Sequence, residues 1–116
     1  MNRGDDRRIA DILQAIDRCQ RYVDALDSDD PDLVEMAEDA VERNLQIIGE
    51  AANHLPAELT AAPPEIAWPQ IRGFRNILVH QYFGVDVDTV REVIETYLPS
   101  LARALRDPAP GTGSDR

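Results

Sequence analysis

The chain of 116 residues has no lysine and a single cysteine, Cys19. One cysteine cannot form a disulfide within the chain, and its position among apolar helical residues predicts a buried thiol in a reducing, intracellular setting. The sequence also lacks an apolar run long enough to span a bilayer, and residues 1–6 are charged, unlike a signal peptide. These absences predict a soluble, cytoplasmic protein.

Positive charge is scarce as well. The 12 basic residues, all arginine, face 22 acidic residues, so the formal net charge is −10. Such a balance argues against a protein that coats duplex nucleic acid through a broad basic surface. Residues 66–85 differ, because they include Arg72, Arg75 and His80 and no acid. A polyanion should be attracted to this neighbourhood and repelled elsewhere, which permits only a small site.

The length predicts one domain that buries enough surface to be stable without disulfides. We expect the folded domain to cover residues 1–106. Residues 107–116 are rich in proline, glycine and polar side chains, and this composition predicts a disordered tail.

Apolar periodicity predicts three or four helices and no strand, and hence an all-α, up-and-down bundle of four main helices. The first helix should cover about residues 6–26. Asp30 followed by Pro31 is typical of a helix start, with the aspartate as N-cap, and Pro56 should stop the second helix. A short turn of helix is expected near residues 57–61.

The second half of the chain predicts two further helices. The third should begin near Pro69 and fray around Gly84. Either Asp86 or Asp88 can cap the fourth, and Pro99 is expected to kink it.

The third predicted helix carries a cluster of polar residues in an otherwise apolar segment. A buried helix gains nothing from the charge of Arg75, the amide of Asn76 and the imidazole of His80 unless they face solvent, a partner or a substrate. On a regular helix Arg75 and His80 would point about 140° apart. Either the helix unwinds before His80, or two copies of the motif meet across a symmetric interface and build a composite cleft. Gly73, costly inside a helix, fits a place where another backbone approaches closely.

The spacing of this cluster resembles the signature of the HEPN superfamily, and most closely that of the HepT-like toxin family. The residues that carry this resemblance are Arg75, Asn76, His80 and Tyr82. Residues 41–51, 71–74 and 82–86 are also similar to what is expected of that family, and they occur in the expected order. The resemblance covers roughly residues 9–105.

This resemblance implies an all-α bundle that forms a homodimer and acts as the toxin of a type II or related toxin–antitoxin system. It implies a metal-independent endoribonuclease that needs no cofactor. The implied partner is a minimal nucleotidyltransferase antitoxin, which neutralises the toxin by adenylylating the motif tyrosine, here Tyr82.

The residue types suit such chemistry. Cleaving RNA without a metal needs a group of near-neutral pKa, and His80 is the only histidine in the acid-free segment. Arg75 offers a planar, permanently charged donor for the phosphate, and Asn76 could orient His80 or bind the phosphate itself. We predict these three as catalytic residues, Arg72 and Tyr82 as substrate contacts, and no metal site.

Alternatives remain open at the level of sequence. Arg75 and His80 could merely end a helix and pair with nearby acids, since helix C-termini favour cations. The net charge of −10 favours a non-catalytic helical module that holds a nucleotidyltransferase or a nucleotide. We interpret His54 as a C-terminal cation of the second helix, and the aromatic residues Trp68, Phe74 and Phe83 as core or dimer contacts.

Overall fold

The computed structural model describes residues 3–60, 66–77 and 87–106, and these residues form helices and no strand. The helices are α1 (Arg3–Tyr22), α2 (Pro31–Asn53), α3 (Ala57–Thr60), α4 (Trp68–Gly73), α5 (Val87–Glu92) and α6 (Leu98–Arg106). The 3-10 segments Val23–Asp27 and Phe74–Asn76 extend α1 and α4, and the π-helical segment Val93–Tyr97 joins α5 to α6. The all-α, four-helix prediction is therefore confirmed.

Helices α1 and α2 pair as a hairpin and supply much of the core. Their facing side chains Ile12, Ile16, Val41, Leu45 and Ile48 are fully buried. Cys19 is also fully buried, as predicted, and burial raises the pKa of its thiol to about 12. The thiol is therefore a core side chain and a poor nucleophile at neutral pH.

The start of α2 follows the predicted pattern. The Asp30 carboxylate accepts a hydrogen bond from the Asp32 backbone N–H at 3.0 Å, and Pro31 occupies the first helical position. The helix ends at Asn53, with His54 as its C-cap, shortly before Pro56. Local sequence signals thus set both ends of the longest helix in the described residues.

The third predicted helix is shorter than expected. It begins at Trp68 and tightens into the 3-10 turn Phe74–Asn76, and Ile77 then adopts an extended conformation (φ −70°, ψ 141°). The prediction of a continuous helix toward Gly84 was wrong at Ile77. The alternative that the helix unwinds before His80 is confirmed. His80, Tyr82, Phe83 and Gly84 lie outside the described residues.

The last helix runs from Val87 to Arg106 with one irregular stretch. The Leu98 backbone N–H donates to the Val93 carbonyl, five residues earlier, which is the π-helical pattern. Pro99 has no N–H and its ring would clash with a carbonyl in a regular helix, so the wider turn accommodates it. Asp86 and the predicted tail, residues 107–116, lie outside the described residues, and the domain boundary stays a prediction.

Helix α2 is the centre of the bundle. It packs against α1 on one side and against α4 and the 74–76 turn on another, while α6 packs against α1. In the three ranges that the structure describes, none of the helices is both long and apolar enough to cross a membrane.

Candidate functional site

Arg75 and Asn76 lie in the 74–76 turn, and both are exposed. Across residues 3–60, 66–77 and 87–106, no hydrogen bond or ion pair engages the Arg75 guanidinium. The interpretation that Arg75 only pairs with a nearby acid thus finds no support in this part of the chain. An exposed, permanently charged group that none of the described side chains engages is available to an external anion.

The backbone of the turn is pressed against α2 at Gly49, which is buried. A Cβ atom placed on Gly49 would collide with the backbone nitrogen of Arg75. It would also lie 2.8 Å from the Phe74 carbonyl carbon and 3.0 Å from the Ile71 carbonyl oxygen. Only glycine allows this approach, so Gly49 determines how deeply Arg75 is seated on α2.

A second residue of α2 holds the chain as it leaves the turn. The Gln46 side chain donates from Nε2 to the Ile77 carbonyl at 2.9 Å, in a half-buried position. Ile77 is the extended residue at which this helix ends, three positions before His80. Gln46 therefore gives a hydrogen-bond partner to the carbonyl of a residue that has left the helix, and ties this residue to α2.

Arg72 is placed differently from Arg75. Its side chain is half-buried, and Nη2 donates to Thr60 Oγ1 at 2.9 Å, which ties α4 to the end of α3. This hydrogen bond gives Arg72 a structural role within the fold. Its predicted contact with substrate stays a prediction.

The expected close approach at Gly73 is not found among the described residues. In the part of the chain that the structure describes, nothing lies within 4 Å of a Cβ built on Gly73. The close contact belongs to Gly49, and sequence reasoning missed both Gly49 and Gln46. The available signal was a glycine inside the long second helix, in the segment similar to the HepT-like family.

The other side chains singled out in the sequence have contacts typical of helix ends and of the core. His54 Nε2 lies 2.9 Å from the Glu50 carboxylate, one helical turn away, and both side chains are about half-exposed. Trp68 is buried and Phe74 is partly buried against the core, as expected for packing residues. Within the described ranges, no group of three or more histidine, cysteine, aspartate or glutamate side chains could hold a metal ion.

Comparison with known proteins gives a consistent result. The family model "Ribonuclease HepT-like" matches residues 12–107. A "Probable ribonuclease HepT" from Thermococcus cleftensis is 33% identical over 101 residues, which are 87% of this chain and 92% of that protein. A "Putative RNase" from Methanocaldococcus jannaschii is 29% identical over 93 residues, 80% of this chain and 85% of that protein.

A longer protein is also similar. The "Gamma-glutamylcyclotransferase and putative RNase" of M. jannaschii is 36% identical over 90 residues, 78% of this chain but only 40% of that protein. No solved structure matches the chain. Because the family model covers most of the sequence, the chain belongs to the HepT-like ribonuclease family.

Proposed function

We propose that the chain is a metal-independent endoribonuclease and the toxin of a type II or related toxin–antitoxin system. The observation that carries this proposal is the seating of Arg75. The Arg75 side chain is exposed and has no partner among the described residues, and its backbone packs closely against Gly49 of α2. In a chain of the ribonuclease family, such an arginine is suited to binding the phosphate that is cut.

The roles follow from the chemistry of RNA cleavage. His80 takes the proton from the ribose 2′-hydroxyl or returns one to the leaving oxygen, since an imidazole can both accept and donate a proton. Arg75 stabilises the crowded negative phosphate in the transition state. Asn76 orients His80 or donates to a phosphate oxygen. Arg72 and Tyr82 contact the substrate, with Tyr82 stacking on a base.

The partner and the control of the activity belong to the same proposal. A minimal nucleotidyltransferase antitoxin adenylylates Tyr82, and the attached nucleotide brings negative charge and bulk to the motif. RNA is then repelled from the site. The toxin acts as a homodimer, a proposal supported by the largely apolar cavity of about 500 Å³ that Phe74 and Tyr97 border. Tyr97 borders this cavity and is 55% exposed, so it adds apolar surface that a second copy would cover.

The test is RNA cleavage in EDTA. A tRNA pool is incubated with the unmodified protein, with His80→Ala and Arg75→Gln, and with protein pretreated with ATP, magnesium and a candidate nucleotidyltransferase. Arg21→Gln serves as the matched control, because Arg21 is exposed on α1, where its guanidinium contacts Asp17 and the ring of Tyr22. Cleavage by the unmodified protein and the control alone is expected. No cleavage by any sample, with a known nuclease active in the same buffer, would overturn the proposal.

A second candidate function is a non-catalytic module that holds a nucleotidyltransferase or a nucleotide. The net charge of −10 favours it, because RNA is repelled by most of the surface. Tyr82→Phe separates the two functions. A regulated nuclease with this change should keep cutting RNA after treatment with the antitoxin, whereas a pure binder should keep its affinity for the partner and cut nothing.

A further inference from the structure

We propose that a cavity between the first turns of α1 and the last turns of α2 binds a backbone phosphate of the RNA substrate. This inference rests on the proposed ribonuclease function and adds a second contact to it, outside the Arg75–Tyr82 motif. The ligand is a phosphate of single-stranded RNA that lies a few nucleotides from the phosphate at Arg75.

The cavity has a volume of about 610 Å³ and is lined by several arginines. The titratable and charged residues that line it are Arg3, Arg7, Arg8, Asp11, Glu50 and His54. Three of the 12 arginines in a chain of net charge −10 thus border one space. The three arginines outnumber the two carboxylates that line the cavity, so it carries net positive charge that a phosphate would neutralise.

The arginines of this cavity are not engaged by acids. Among the described residues, Arg3 and Arg7 have no ion pair, and the one hydrogen bond of Arg8 is a 3.4 Å contact to the Gly4 carbonyl. Glu50 already contacts His54 at 2.9 Å, which leaves Asp11 as the other opposing carboxylate. The neighbouring acids Asp5 and Asp6 do not line the cavity. The positive end of the α1 dipole lies at the same end of the helix and strengthens the attraction of the cavity for anions.

The position of the cavity fits a strand that also reaches Arg75. Gly49 touches the Arg75 backbone, whereas the next residue, Glu50, lines the cavity, so the two places lie on adjacent sides of α2. They are separated by about one helix diameter, ~10 Å. A stacked strand rises ~3.4 Å per nucleotide, so about three nucleotides bridge them.

The test compares two double variants of the full chain. Arg3→Gln/Arg7→Gln removes two cavity arginines. Arg18→Gln/Arg21→Gln removes two arginines at the other end of the same helix and changes the net charge equally. Binding of a short fluorescent 2′-deoxy oligonucleotide, which has no 2′-hydroxyl to attack, is measured over a range of salt, and cleavage of the RNA of the same sequence is measured in parallel.

We expect the cavity variant to bind more weakly than the control variant. The slope of log K against log salt should fall by ~0.7, because the contact to one phosphate is lost. KM for RNA should rise while kcat at saturation stays unchanged, because the chemistry at Arg75 and His80 is untouched. Arg3→Lys/Arg7→Lys should restore the salt slope, which excludes a loss of folding as the cause.

Equal affinity and equal salt slope in the two double variants would overturn this inference and leave the proposed ribonuclease standing. If the unmodified protein neither binds nor cuts RNA, the proposed function fails and the inference fails with it. A loss of affinity in the cavity variant that the lysine variant does not reverse also counts against a phosphate contact.

Discussion

At Gly49 a hydrogen atom replaces a side chain, and the backbone of the 74–76 turn fills the space. We expect Gly49→Ala to destabilise the protein by at least about 2 kcal/mol, since overpacking against backbone atoms cannot be relieved by a rotamer change. The cleavage rate of the folded variant should also fall, by more than the loss of folded protein explains, because Arg75 is displaced. Urea unfolding and cleavage rates at a temperature where the variant is folded measure the two effects.

Gly73→Ala is the matched control for this prediction. Gly73 has a helical backbone conformation, and nothing in the described residues lies within 4 Å of its added Cβ. Alanine favours a helix over glycine by ~1 kcal/mol, so this variant should be as stable as the original or more stable. A Gly49→Ala protein as stable and active as Gly73→Ala would contradict the seating of Arg75 on α2.

Gln46 is expected to act as a positioning residue for the chain before His80. Gln46→Met keeps the length of the side chain and removes the donor to the Ile77 carbonyl, which should cost ~1 kcal/mol of stability. If the turn then loses its direction, kcat on RNA should fall about tenfold or more while KM changes little. The exposed Gln20→Met on α1 is the control, and a Gln46→Met enzyme with unchanged kcat would exclude the positioning role.

Some properties of single residues were readable from the sequence. Cys19 and Asp30 were predicted correctly because burial in an amphipathic helix and capping before a proline depend on neighbours in the chain. Gln46 and Gly49 were missed because their contacts, Ile77 and Arg75, lie far along the sequence.

Among the elements, α2 is the one whose start is most clearly set by local chemistry. The Asp30 carboxylate accepts from the Asp32 N–H, so Asp30→Ala should lower the free energy of unfolding by ~1 kcal/mol. The neighbouring Asp29→Ala serves as the control, since Asp29 is exposed and caps nothing. Urea unfolding followed by circular dichroism measures the midpoints. Equal midpoints for the two variants would contradict a stabilising role of the Asp30 cap.

The interruption after α4 could not be derived from helix signals. Residues 74–77 contain no proline, and their apolar periodicity continues the helix. The chain leaves the helix where Gly49 admits the backbone of the turn and Gln46 donates to the Ile77 carbonyl, so contacts with α2 accompany the end of the helix. In the last helix the irregularity could be predicted from the sequence, because Pro99 disfavours a regular α-helix. The π-helical segment accommodates this proline.

At the scale of the whole molecule, the excess of acid means that RNA must be captured by a few arginines against general repulsion. If the site is a composite of two protomers, Arg75 of one copy works with His80 of the other. Mixing inactive Arg75→Gln and inactive His80→Ala chains, with subunit exchange, should then restore about a quarter of the activity. A mixture that stays inactive, although exchange is demonstrated, would place the complete site within one protomer.

The helical class, the ends of α2, the burial of Cys19 and the motif typical of the family could all be predicted from the order of the residues. These features depend on periodicity, capping and residue chemistry, which act over a few neighbouring positions. The position where the helix before His80 ends, the glycine that admits a neighbouring backbone and the arginine that is exposed became known from the folded structure. Those outcomes depend on packing between α2 and a segment about 30 residues further along the chain. Local sequence patterns do not predict such long-range packing.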